Sequence, residues 1–144
     1  MLNKSTPTTA GRDISARVPR VRRGETTRFV VGDQTGYLTT GYSHDGTVGD
    51  VTLRIAKQGS ALAGAADALG VAISLGLQAG APLHAYAEDY TGARFCPAGR
   101  TDDPEIPEAT SIVDYLVRRL TLDSKARPAN TVEAWAATRG PASA

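Results

Sequence analysis

The chain predicts an α+β fold, with an antiparallel β-meander of about three strands followed by about three helices packed on one face. Three observations lead there. Apolar and polar residues alternate between Thr26 and Ile55. Asp45-Gly46 places a tight hairpin signal inside that stretch. From Ser60 onward the apolar spacing changes to threes and fours. Strands come first and helices after, which segregates the two kinds of element and argues against βαβ units.

Thr26 to Val31 reads as the first strand, with Phe29 and Val31 on one face. Gly32 to Gly36 forms a turn, and Tyr37 to Tyr42 a second strand whose Thr and Tyr residues suit a pleated surface. Val51, Leu53 and Ile55 alternate with Thr52, Arg54 and Ala56, which predicts a third strand with one wet face. Ser60 caps a central buried helix over 60–79, whose stripe is Leu62, Ala66, Leu69 and Ile73. Gly64, Gly70 and Gly76 each cost about 1 kcal/mol of helix propensity relative to Ala. Their recurrence implies close packing against the sheet or a partner's helix. Gly80 ends this helix.

Pro82 opens a short helix through Tyr90, and 92–107 reads as an irregular loop. The last helix starts near Ser111, which stands at capping-box spacing from Asp114. It is expected to bury Ile112, Val113, Leu116, Val117 and Leu120 and to show Arg118 and Arg119 to solvent. Residues 1–15 are expected to form a flexible arm, 16–123 a single domain and 124–144 a loose tail, with a short docking helix through Val132, Trp135 and Ala136 as the alternative for that tail.

At 144 residues the chain suits one domain with one core. One cysteine excludes an internal disulfide and points to a reducing cytoplasm. No apolar run is read as a membrane span, and no secretory leader is recognised. Net charge is +1, unevenly spread. Residues 1–28 hold Lys4, Arg12, Arg17, Arg20, Arg22, Arg23 and Arg28 against Asp13 and Glu25, an excess of five positive charges, so the remainder carries −4. Such an arm can bind nucleic acid. A solvated, partly paired leading segment is the preferred reading, and nucleic acid is not the expected partner.

The candidate anion site is Lys57, Gln58, Gly59 and Ser60, where a strand ending on lysine enters a helix through Gly-Ser. Arginines from Arg20, Arg22, Arg23 and Arg28 are expected to approach it, from this subunit or a neighbour. The same residues also make an ordinary strand-to-helix turn with a serine cap, which is common chemistry. Cys96 lacks a nucleophile signature and is expected to be buried and inert. Glu88-Asp89 and Asp102, Asp103 and Glu105 offer carboxylates of the kind that loops carry routinely. Neither His44 nor His84 has partners at metal-ligand spacing, so no metal, catalytic residue or cofactor is assigned.

Several separate stretches also agree, in order, with one known module. They are Arg20-Val21-Arg22-Arg23-Gly24, Gly36-Tyr37-Leu38-Thr39, Asp45-Gly46 before Gly49-Asp50, Lys57-Gln58-Gly59-Ser60, Leu77-Gln78, Pro82-Leu83, Pro97-Ala98-Gly99 and Ser111-Ile112 with Asp114-Tyr115. Over roughly residues 17–122 the chain resembles the TSCPD-type accessory domain near the C-terminus of class II, adenosylcobalamin-dependent ribonucleotide reductases. The resemblance implies the fold and a nucleotide-related or assembly role for a freestanding domain. It does not carry over the reductase activity. Nothing here corresponds to the family's barrel, thiyl-forming cysteine, cobalamin-binding surface or redox cysteine tail, and Cys96 stands where the family is expected to have an acidic residue.

Two functions follow as expectations. One is a non-catalytic, homo-oligomeric module that binds a nucleotide or other phosphorylated ligand, for sensing, sequestration or assistance to a reductase in trans. The other is a structural subunit that docks on a reductase or another enzyme through its helix and hairpin. An independent enzyme using carboxylates or Cys96 is the weakest alternative.

Overall fold

A computed structural model describes residues 18–57 and 59–126. The arm over 1–15, Gln58 and the tail around Trp135 lie outside the described residues. Strands β1 (Gly24–Val31), β2 (Gln34–Tyr42) and β3 (Val48–Ile55) form an antiparallel meander in the order β1-β2-β3. The helices α1 (Ala61–Ala79), α2 (Leu83–Tyr90) and α3 (Ile112–Ala126) follow. The predicted α+β arrangement is therefore the observed one. Because α3 runs on through Ala126, residues 124–126 belong to the ordered helix and not to a loose tail.

Period-two alternation divides the sheet into two faces. Phe29, Val31, Leu38, Leu53 and Ile55 point into the core, where they meet Ile112, Tyr115, Leu116 and Leu120 of α3. Phe29 stands opposite Gly36 in the β1–β2 register, and a Cβ at Gly36 would run into its ring. The far side of that ring stacks on Tyr115 with centroids 4.6 Å apart.

Helix α1 lies along β3 and takes up its outward-facing backbone groups. Ser74 Oγ accepts the Val51 N–H at 2.8 Å, and the Gln78 amide donates to the Gly49 carbonyl at 2.8 Å. Gly70 permits this approach, since a Cβ there would sit 2.9 Å from the Val51 oxygen. Gly76 faces the Tyr86 hydroxyl of α2, whereas Gly64 faces open space.

The expected central buried helix is buried along one stripe only. Only Ala66, Gly70, Ile73, Ser74 and Leu77 are buried, one stripe pressed on the sheet, while Leu62, Val71 and Leu75 remain 38%, 59% and 49% exposed. The stripe is rotated from the expected one because Gly70 and Ser74, rather than Leu62, meet β3. By length and composition alone, α1 also passes as a membrane-crossing helix, contrary to the sequence reading, although in this fold it is bonded to β3.

The 92–107 segment is more ordered than expected. A two-stranded ribbon, β4 (Gly99–Arg100) with β5 (Glu108–Ala109), forms within and just beyond it. This ribbon closes the C-terminal half of the β1 edge. Gly32 N–H donates to the Arg100 carbonyl at 2.8 Å, Val31 bridges to Thr101, and Val30 N–H donates to Asp102 at 2.7 Å.

Candidate functional site

The Lys57–Ser60 turn is built as a cap. Gly59 adopts φ +83°, which an L side chain tolerates poorly. Ser60 N–H donates to the Lys57 carbonyl at 3.1 Å, and Ser60 Oγ accepts the Ala63 N–H at 3.1 Å. Of the candidate anion site over Lys57, Gln58, Gly59 and Ser60, the Ser60 backbone N–H is thus engaged inside the turn. Lys57 brings its charge to the mouth of a groove.

That groove has a volume of about 920 Å³ and runs between the outer face of the sheet and the first half of α1. Gln34, Thr35, Tyr37 and Arg54 line its sheet side, and Ser60, Ala63, Gly64 and Asp67 line its helix side. The strand register explains its chemistry. Arg28 pairs with Tyr37, and Tyr37 pairs with Arg54, so one row across the three strands reads Arg-Tyr-Arg on the solvent face. Both arginines hold exposed carboxylates, Arg28 to Asp102 at 3.3 Å and Arg54 to Asp67 at 3.1 Å. Exposed pairs of this kind contribute about 0–1 kcal/mol, so an arriving anion can displace them.

The arginines named from sequence separate into two groups. Arg28 lies beside Tyr37, at the Lys57 end of the sheet. Arg22 instead covers Gly41 and pairs with Asp50 at 2.6 Å, while the Arg23 carbonyl accepts the Tyr42 N–H. Four residues of strand separate Tyr37 from Gly41, roughly 13 Å. Arg22 and Arg23 therefore stand at the other end from Lys57 within one protomer, and Arg20 is exposed in the segment that precedes them. Sequence reading missed Tyr37, Arg54 and Asp67. Strand alternation carried the signal, but only the register shows that Arg28, Tyr37 and Arg54 share a row.

The loop carboxylates are structural. Asp103 accepts from the Tyr115 hydroxyl at 2.9 Å and from Arg119 at 3.0 Å. Arg119, expected to face solvent, is only 11% exposed and also holds Asp123 at 2.7 Å. Burial pushes the Asp103 carboxyl up, but the Arg119, Tyr115 and Glu105 N–H hydrogen bonds outweigh it and hold the group below the usual carboxylate range. The buried Asp114 is likewise held low against the effect of burial, by the Gly92 and Thr110 N–H groups and by Arg118. Burial and Asp103 together raise the Tyr115 hydroxyl. Cys96 is exposed, contrary to the expectation of a buried thiol. Among the described residues no group of three or more His, Cys, Asp or Glu side chains is placed to hold a metal.

The TSCPD domain family matches residues 7–124, most of the chain. The chain belongs to the TSCPD domain family. This TSCPD domain is 50% identical over 112 residues to a vitamin B12-dependent ribonucleotide reductase of Streptomyces avermitilis, covering 78% of the chain and 12% of that relative. It is equally similar to the corresponding protein of Streptomyces coelicolor. It is 39% identical over 112 residues to that of Bradyrhizobium diazoefficiens, covering 77% of the chain and 9% of the relative. The chain thus spans about an eighth of the length of the curated relatives from S. avermitilis and S. coelicolor. No solved structure matches it. Every groove residue, from Gln34 to Asp67, falls inside the family match, as does Arg28.

Proposed function

We propose that this TSCPD domain is a non-catalytic binding module of the ribonucleotide-reductase type, which holds a phosphorylated ligand, a nucleotide or a similar molecule, in the groove beside α1. The observation that carries this reading is the meeting of Arg54 and Lys57, from β3 and the turn after it, in one open groove, with Arg28 of β1 next to the groove residue Tyr37 in the strand register. Mobile cations at a groove rim make charge-assisted hydrogen bonds to phosphate oxygens without a metal or other cofactor. The setting proposed for it is the cytoplasm, where it senses or sequesters the ligand or serves a reductase subunit, with neither membrane nor nucleic acid as its partner.

Isothermal titration with ATP and with inorganic triphosphate tests the reading. Lys57→Ala should weaken both by roughly 1–3 kcal/mol, the worth of a hydrogen bond to a charged group, with the fold intact because Lys57 is exposed. If neither compound binds, or Lys57→Ala changes nothing, the groove is not a phosphate site.

A second reading has its own observation. Val71 and Leu75, one turn apart, are large apolar side chains on the uncovered side of α1. Such a face supports a protein-interaction role, either with a second copy as a homodimer or higher assembly, or with a reductase or other enzyme.

A further inference from the structure

We infer that Tyr37 is a stacking platform for the base of a mononucleotide whose phosphates lie toward Lys57, with Arg28 and Arg54 on either side of the ring. This rests on the proposed phosphate site and adds the ligand's second half. The ring is 47% exposed in the middle strand of the sheet, on the face opposite the core. Among the described residues it makes no ring contact, whereas Phe29, on the other face, stacks on Tyr115. A half-exposed tyrosine that adds nothing to the core is a poor use of apolar area unless something covers it.

The surroundings specify what fits. Cross-strand neighbours stand about 5 Å apart at Cβ, so Arg28 and Arg54 flank the ring closely on both sides. Their guanidinium groups pair with Asp102 and Asp67, and the ring between them stays half-exposed. An aromatic face beside planar guanidinium groups is the arrangement that holds an unpaired base, and phosphate is the anion that guanidinium matches bidentately. Asp67 and Asp102 also face this site and oppose an anion, and Lys57 adds the cation that tips the balance.

A mononucleotide fits better than a strand. Strands need successive platforms for successive bases. The next row along the same face holds Thr26, Thr39 and Thr52, with the Thr26 and Thr39 hydroxyls 2.9 Å apart. That row stacks nothing.

The experiment compares Tyr37→Ala and Tyr37→Phe with the unmodified chain, titrating ATP, inorganic triphosphate and an oligothymidylate. Because Tyr37 lies outside the core, both variants should fold, and circular dichroism checks this. Tyr37→Ala should weaken ATP about 5- to 150-fold, the range for loss of one base–aromatic stack, and leave inorganic triphosphate unchanged. Tyr37→Phe should bind ATP as the unmodified chain does. Equal losses for ATP and triphosphate, or no loss for ATP, overturn the stacking platform while leaving the phosphate site standing. An oligothymidylate that binds more tightly than ATP overturns the mononucleotide. If neither ATP nor triphosphate binds the unmodified chain, both the phosphate site and the platform fall.

Discussion

The Ser74 hydroxyl sits 2.8 Å from the Val51 amide nitrogen, on the outer edge of β3. An exposed strand edge invites pairing with another chain, and here one side chain of α1 occupies it. The same oxygen lies 2.8 Å from the Gly70 carbonyl and 3.1 Å from that of Val51, so its single proton also has a partner. Ser74→Ala strands the buried Val51 N–H and should destabilise the domain by about 1–3 kcal/mol. Urea denaturation measures this, and an unchanged midpoint would mean that the bond adds nothing to stability.

Glycines on α1 separate by the same geometry. A methyl at Gly70 meets the Val51 oxygen at 2.9 Å, so Gly70→Ala forces the helix off the strand and should cost about 1–3 kcal/mol. Gly64 has nothing within 4 Å, so Gly64→Ala should stabilise by up to about 1 kcal/mol through helix propensity alone. Thermal melts of the two variants should move in opposite directions.

Acid should unfold the domain through its pinned carboxylates. Asp103 and Asp114 are both held below the usual range in the folded chain. Their contribution is therefore fully present above the unfolded value near 3.9 and is lost as pH falls through the lower folded values. Tyr115 has the opposite sign, since its raised pKa gives stability that is full below about 10 and disappears at higher pH. Asp114→Asn should lower stability at pH 7 and flatten the acid limb. Denaturation midpoints between pH 2 and 7 report both effects.

Much of the fold was legible because the sheet obeys period two. Val51, Leu53 and Ile55 announced β3, and Asp45-Gly46 announced its hairpin, closed by the Gly46 N–H on the Ser43 carbonyl. Ser60 and Ser111 were readable as caps, and both accept the expected N–H groups. The ribbon of β4 and β5 was not legible, because two-residue strands have no periodicity and owe their form to pairing across the loop. Arg119 looked solvent-exposed because nothing local shows that Asp103, sixteen residues earlier, folds over it. The groove was half legible. Lys57 and Ser60 stand together in sequence, whereas Arg28, Tyr37 and Arg54 become neighbours only once the strand register is set.

The uncovered side of α1 yields the last prediction, which concerns assembly. Val71 and Leu75, one turn apart, are exposed among small residues, and Asp67, the one charged residue of the helix, is paired with Arg54. A two-fold contact sets a surface against itself, so any charge at its centre would meet its own copy. An alanine- and leucine-rich face avoids that repulsion, and its small residues allow close helix approach. Light scattering should therefore give a mass near twice the 15.0 kDa of one chain at micromolar concentration. Replacing Val71 and Leu75 together with Glu places like charges across the two-fold and should return the monomer. Both side chains are half or more exposed, so the variant should keep its melting transition apart from the loss of the dimer. A monomeric unmodified chain would instead leave this face to a different protein partner.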